Sequence, residues 1–395
     1  MEKRRYIFYP RKKSPTKYYL FNLYSKIFLF LIICFSENIV KIGNATVSEI
    51  TLIIEGGGTQ QLINDQFTIE PTQVSVNGVN KPSCKKTCEL QEGSNTVILI
   101  FENEINSCYC MFQNLNNIKE IDLSYTDFSK VSIMEFMFDG CSNLEKITFG
   151  DIDTSSVEYM YGAFRSCSNL TSIDLSNLNL AKAKYIEYLF NGCSNLEYVN
   201  FGNINTASIE NMNSLFEGCS KLISVDLSNL DLSNVRNMGG MFSGCSNLEY
   251  VNFGNSQTPL LENIGVLFKD CLKLKSVDLS NFDFSKVNNA YATFLGCSNL
   301  ENINFGSSST PSLLNTALLF QGCSSLTSID LSHFDFSKIV NMDFMFNDCS
   351  NLEKINFGTI DTTSLETMSG IFFNCLNLTS IDLSNFDLEK VQIWK

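Results

Sequence analysis

The chain sets 28 Lys and Arg against 42 Asp and Glu over 395 residues, a formal charge of −14. Residues 1–36 hold eight of the basic residues and one acidic residue, Glu2; without them 20 basic face 41 acidic residues, a net of −21, which repels phosphate backbones and anionic lipid and argues against nucleic acid. The single histidine, His333, leaves no His-based metal site and no Ser-His-Asp or Cys-His arrangement, so no catalytic residues, cofactor or metal are expected.

In chain order, Lys3, Arg4, Arg5, Arg11, Lys12, Lys13, Lys17 and Lys26 precede the apolar run Ile27–Phe35. That run is shorter than the roughly 20 residues of a membrane span. A basic start, a short apolar core and then small Ser36 predict a signal peptide over 1–36, or a signal anchor using Tyr18–Phe35 despite Lys26. Either places the protein at the cell surface or outside the cell, with no membrane insertion beyond that anchor.

Residues 37–114 read as a β-rich N-terminal cap. Ile50–Ile54, Thr72–Val76 and Thr96–Phe101 are expected strands, parted by turns at Gly56-Gly57-Gly58 and Asn77-Gly78. Cys84, Cys88, Cys108 and Cys110 are disulfide candidates in a secreted chain, with a zinc site as the alternative. Asn44, Asn169 and Asn377 open Asn-x-Ser/Thr sequons and are glycosylation candidates.

The remainder, 115–395, is periodic. Cys141, Cys167, Cys193, Cys219, Cys245, Cys271, Cys297, Cys323, Cys349 and Cys375 are spaced by 26 residues without a slip. Phenylalanine keeps the same period from Phe112 to Phe372. A fixed period of this size means a solenoid. After each cysteine an L-x-x-I-x-L pattern, as in Leu170, Ile173 and Leu175, reads as a strand with Ser172, Asp174 and Ser176 facing out. The other half, as in Val157, Tyr161 and Phe164, has helical spacing. Ser155 with Glu158, Thr363 with Glu366, Thr258-Pro259 and Thr310-Pro311 fit helix starts. The expected fold is thus an α/β solenoid, a leucine-rich repeat array of about eleven 26-residue strand–helix units. A second period of 52 alternates the two sequence types seen at Cys167–Ser176 and Cys193–Gly202. The chain ends partway through a repeat, without a C-terminal cap. The cysteine ladder reads as buried thiols, with bridges between successive units as the alternative.

The unit Asn-Leu-Thr-Ser-Ile-Asp-Leu-Ser, followed by Asn-Met-x-x-Met-Phe as at Asn237–Phe242 and Asn341–Phe346, resembles the BspA-like leucine-rich repeat family over about residues 97–395. The resemblance implies a surface or secreted protein, in some members a binder of host matrix or other cells, with no catalytic residues to carry over.

Outward strand positions supply the candidate ligand-binding residues: Asp174, Tyr198, Asn200, Asp226, Tyr250, Asn252 and Asp278. Alternating Asp with Asn keeps like charges off adjacent strands and lets each amide donate to a neighbouring carboxylate. Tyrosines among small polar residues form a surface for an unidentified protein or glycan ligand, with Tyr198 and Tyr250 flanking Asp226. The functional expectation is a non-enzymatic protein of adhesion or recognition. An intracellular interaction scaffold and a passive structural coat protein are the alternatives.

Overall fold

A computed structural model describes residues 47–391. The expected signal segment, Asn44 and residues 392–395 lie outside the described residues.

Eight strands open the described residues: β1 (Ser48–Glu55), β2 (Gly58–Gln61), β3 (Gln73–Val76), β4 (Val79–Asn80), β5 (Thr87–Leu90), β6 (Ser94–Phe101), β7 (Ile118–Tyr125) and β8 (Lys146–Thr148). Alternation along β1 buries Ile50, Leu52 and Ile54 on one face. Strands β3 and β4 form a hairpin across Asn77 and Gly78, whose φ values of 50° and 77° suit the tight turn that Asn-Gly favours. The main sheet runs β4-β3-β6-β1-β7-β8. Strand β1 pairs antiparallel with β6 through Leu52 and Val97, and with β7 through Leu52 and Ile121. Strand β7 in turn pairs parallel with β8 through Ile121 and Ile147, the first rung of the repeat. The N-terminal β structure therefore joins the array by strand pairing, which covers the edge that the first repeat strand would otherwise expose.

From Ser107 the chain winds in 26-residue coils. The third to tenth coils each contribute a three-residue strand: β9 (Ser172–Asp174), β10 (Tyr198–Asn200), β11 (Ser224–Asp226), β12 (Tyr250–Asn252), β13 (Ser276–Asp278), β14 (Asn302–Asn304), β15 (Ser328–Asp330) and β16 (Lys354–Asn356). A second row of parallel bridges runs unbroken from Ser107 through Ile133, Tyr159, Tyr185, Asn211, Asn237, Asn263, Asn289, Asn315 and Asn341 to Thr367. The core between holds the repeat apolar residues. Phe112 to Phe372 stack coil on coil with centroids 5.4–5.9 Å apart and nearly parallel rings. Each such pair contributes about 0.5–1.5 kcal/mol beyond the area it buries.

The strand–helix unit is corrected: no helix occurs among the described residues, and the array is a β-solenoid. The backbone amides explain why. Met134, Phe136, Phe138 and Gly140 donate N–H bonds to carbonyls of the next coil, at Tyr159, Tyr161, Ala163 and Arg165. Met137, Asp139 and Cys141 between them donate three residues back, to Met134, Phe136 and Phe138. A helix would send every amide four residues back within the segment. Alternate routing instead needs left-handed residues, Phe136 at φ 55° and Gly140 at 73° in this coil. The spacing of Val157 and Phe164 is that of consecutive turns. The residues read as helix starts are also reassigned: Ser155 and Thr363 donate their backbone amides to Asp153 and Asp361 in tight turns, at 2.9 and 3.0 Å, and Thr258 and Thr310 belong to a buried series that joins coils. Thr154, Thr206, Thr258, Thr310 and Thr362 are buried, and their hydroxyls accept the amides of Asn179, Asp231, Asp283, Asp335 and Asp387 in the following coil at 2.7–3.1 Å.

The 52-residue period has a packing cause. Strands pair in twos, β9 with β10, β11 with β12, β13 with β14 and β15 with β16. Within each pair the second coil places a glycine at positive φ against a serine of the first. A Cβ on Gly202 would lie 2.5 Å from the Cβ of Ser176, and one on Gly254 2.7 Å from that of Ser228. The glycine coil thus presses on the serine coil before it and reaches the one after it through its buried threonine.

Candidate functional site

Ile173, Val199, Val225, Val251 and Val277 point into the core, so the residues on either side of each stand outward on one strand face. Register then decides which candidates meet. Asn200 lies opposite Asp174, and Tyr198 opposite Ser172. Asn252 lies opposite Asp226, and Tyr250 opposite Ser224. Asp278 is opposite Asn304, in the next strand pair. Tyr198 and Tyr250 are therefore two coils apart with Ser224 between them, roughly 10 Å at the strand spacing.

Each carboxylate is held by its own turn. Asp174 Oδ1 accepts the Ser176 amide at 2.9 Å and the Asn200 side-chain amide at 3.0 Å. Asp226 Oδ1 accepts the Ser228 amide and the Asn252 side chain, both at 3.0 Å. Asn200 and Asn252 pass the pattern on by accepting the amides of Gly202 and Gly254 at 3.0 Å. The carboxyls of Asp174, Asp226 and Asp278 lie below the usual carboxylate range. The Ser176, Ser228 and Ser280 hydroxyls do most of this, followed by the same serines' backbone amides. A general acid needs the opposite shift. The row offers fixed, ionised acceptors.

Tyr198 is 59% exposed, Tyr250 56%, and Ile223, beside Ser224, 53%. Ile223 was not picked out from sequence; the coils that share its 52-residue series carry Thr171, Lys275, Thr327 and Thr379 at that position, and an apolar residue among polar ones was the available signal. Also missed was the asparagine series in the bridge row. Asn263 donates to Asn237, and Asn289 to Asn263, both at 2.9 Å, while Asn237 and Asn263 accept the amides of Gly239 and Gly265. These half-buried amides join the coils.

Cys84 and Cys88 are disulfide-bonded to each other. Cys108 and Cys110, grouped with the cap from sequence, sit instead on the first coil as buried free thiols. They hold the positions that Met134 and Phe136 occupy one coil later, where the backbone is already committed to the ladder. The repeat cysteines are free as well, and their thiols donate to core carbonyls, Cys167 to Phe138 at 3.1 Å and Cys193 to Phe164 at 3.0 Å. Burial pushes the Cys141 and Cys193 thiols up to about 12. Asn169 is half-buried and Asn377 exposed, and both donate backbone N–H bonds to the preceding coil, to Ser142 and Ser350. Among the described residues no group of three or more His, Cys, Asp or Glu could hold a metal ion, and no helix is long and apolar enough to cross a membrane.

Comparison with known proteins gives a family match. The family model described as "Mycoplasma protein of unknown function, DUF285" matches residues 106–221, 186–307 and 314–395. No curated protein matches the chain. Among solved structures, the chain is similar to "Crystal structure of TLR13-ssRNA13 complex", at 22% identity and a TM-score of 0.31. That match covers 72% of this chain and 43% of the other, so the chain spans less than half of that protein's length.

Proposed function

Because the chain belongs to the DUF285 family, whose description assigns no function, we propose a role from the surface it displays: a non-enzymatic recognition protein, secreted or at the cell surface, that binds a protein or glycan ligand on its strand face. The observation that carries this reading is the patch of Tyr198, Ile223 and Tyr250, each more than half exposed among rungs that hold Asp174 and Asp226 as ionised acceptors. Rigid aromatic side chains beside fixed polar groups supply contact area at little cost in conformational entropy. The absence of chemistry is supported by carboxyls shifted away from acid catalysis and by thiols buried and shifted away from nucleophilicity. The resemblance to BspA-like proteins supports the surface location and a role in adhesion. The acidic body argues against nucleic acid as the ligand.

The test has two parts. Intact source cells are treated with a membrane-impermeant label, and the purified protein is then screened against matrix proteins and glycans. The protein takes the label or is found in the medium, and Tyr198→Ala/Tyr250→Ala weakens the best ligand about tenfold or more without lowering the melting temperature. Protein confined to the cytosol overturns the location, and unchanged binding by the double variant overturns the site.

A further inference from the structure

We propose that the turn segments of the first coils form a second recognition site, which takes the guanidinium of an arginine side chain from a basic peptide segment. Two residues beyond the bridge row, Tyr109, Glu135, Tyr161 and Glu187 stand one coil above another. Phe136 and Tyr188 follow in the adjacent column. The rings form a continuous stripe, Tyr109 to Phe136 at 6.2 Å, Phe136 to Tyr161 at 5.1 Å and Tyr161 to Tyr188 at 5.2 Å between centroids. None of them is buried, and Tyr109 is 41% exposed.

The molecule already shows what one end of this stripe accepts. The Arg165 guanidinium lies 5.2 Å from the centre of the Phe136 ring and bonds to Asp139 twice, through Nε at 2.8 Å and Nη2 at 3.0 Å. One coil later Asn191 stands where Arg165 stood, and its side chain is turned to Glu217 at 3.0 Å. Asn191 thus brings no second guanidinium to Tyr161, Tyr188 and Glu187, although the charge of Arg165 reaches both tyrosines. Glu187 is half satisfied: Oε1 accepts the Asn211 side chain at 2.6 Å, while buried Oε2 has no hydrogen-bond partner. An orphaned carboxylate oxygen is costly and needs an explanation. A planar donor that stacks on a ring while bonding a carboxylate meets both needs, and a guanidinium does this better than the compact, strongly hydrated ammonium of lysine. Access to Oε2 requires a partly exposed side chain to turn, a fast rotamer change. The net of −21 outside residues 1–36 draws a basic segment to the surface, and the stripe supplies the selection.

The probe is fluorescein-labelled hexa-arginine amide, compared with hexa-lysine amide of equal charge, titrated into the full chain at about 150 mM salt, where distant charges are screened. Hexa-arginine binds at least about fivefold tighter than hexa-lysine. Glu187→Gln and Tyr161→Ala each weaken hexa-arginine about fivefold or more, whereas Glu301→Gln, which removes equal charge from the strand face, changes it less than about twofold. Tyr161→Phe keeps the ring and keeps the binding, which separates loss of the aromatic face from loss of the fold. Equal losses from Glu187→Gln and Glu301→Gln, parity between the two peptides, or no binding overturns the proposal. None of these outcomes depends on the strand-face ligand, so the two sites stand or fall separately.

Discussion

Substituting Gly202 by Ala tests the packing that gives the array its 52-residue period. Two costs add. Alanine at φ 56° takes up a left-handed conformation, at about 1–2 kcal/mol. Its methyl group would also lie 2.5 Å from the Cβ and 3.0 Å from the Cα of Ser176, against an ordinary carbon contact of about 3.5–4.0 Å. Overpacking of that kind costs about 1–3 kcal/mol, so Gly202→Ala destabilises by about 2–5 kcal/mol. Gly58 is the control. It too has positive φ, 73°, but nothing lies within 4 Å of its would-be Cβ, so Gly58→Ala costs only the conformational part, about 1–2 kcal/mol. Ser176→Gly removes the nearest obstacle, and the double variant Ser176→Gly/Gly202→Ala is therefore more stable than the sum of the singles by about 1–2 kcal/mol. Urea denaturation followed by far-UV circular dichroism measures these differences. Hydrogen exchange localises them, because the Leu175 amide bonds to Asn200 and the Glu197 amide to Thr171, both at 2.8 Å, across the same coil pair. A cost for Gly202→Ala no larger than for Gly58→Ala, or no coupling in the double variant, would refute the argument.

Two further predictions concern titration. The lowered carboxyls of Asp174, Asp226 and Asp278 contribute stability that is present above their unfolded value of about 3.9 and is lost as pH falls through the folded values. Glu187 is shifted the other way, raised by burial, so protonating it favours the folded state. Urea midpoints measured from about pH 6 downward therefore fall less steeply below about pH 4 in Asp174→Asn/Asp226→Asn/Asp278→Asn, and Glu187→Gln removes any rise that precedes the fall; identical profiles in all three proteins would sink both assignments. The thiol ladder makes a chemical prediction. With Cys141 and Cys193 pushed up to about 12, the thiolate fraction at pH 8 is on the order of 10⁻⁴, so these cysteines resist a disulfide reagent until denaturant is added. Cys375, half-buried and at about 11, reacts first. Rapid labelling of the whole ladder in native buffer would contradict the burial.

The solenoid was legible because Cys141 to Cys375 and Phe112 to Phe372 are inward positions, and an inward position repeated at a fixed interval has one explanation. The helix was misread for an equally physical reason. Val157 and Phe164 are buried at a spacing that consecutive turns and a helix share; what separates the two is where each amide donates, and residue type does not report that when left-handed positions are filled by Phe136, Tyr188 and Val266 as well as by glycine. Thr258 and Thr310 were visible before their prolines, but a hydroxyl before a turn reads the same whether it accepts from its own segment or from the next coil. Asp174 and Asn200 were placed opposite each other from period alone, and the bond between them is present at 3.0 Å. Ile223 and Glu187 escaped notice because their columns are not uniform, Thr171 and Lys275 holding the place of the first in the like coils and Tyr161 and Asn213 flanking the second.

The pairing of coils also bears on how the strand face presents itself. Serine coils carry the aspartates, with small Ser172, Ser224 and Ser276 at the position where the glycine coils β10 and β12 carry Tyr198 and Tyr250 together with the asparagines that bond back to those aspartates. Because the glycine coil is drawn onto the serine coil before it, each tyrosine comes with its own acceptor and its own amide, fixed by strand pairing and a glycine contact. The proposed recognition unit is thus two coils long. Further along, Asn302 and Lys354 take the tyrosine position on the same framework. The aromatic character is confined to two units near the middle of the array while the Asp–Asn rung recurs beyond them, Asn356 bonding to Asp330 at 3.0 Å. A structural need alone accounts for the rung. It does not account for tyrosine at two of its exposed neighbours, and that difference is why the proposed ligand is placed there.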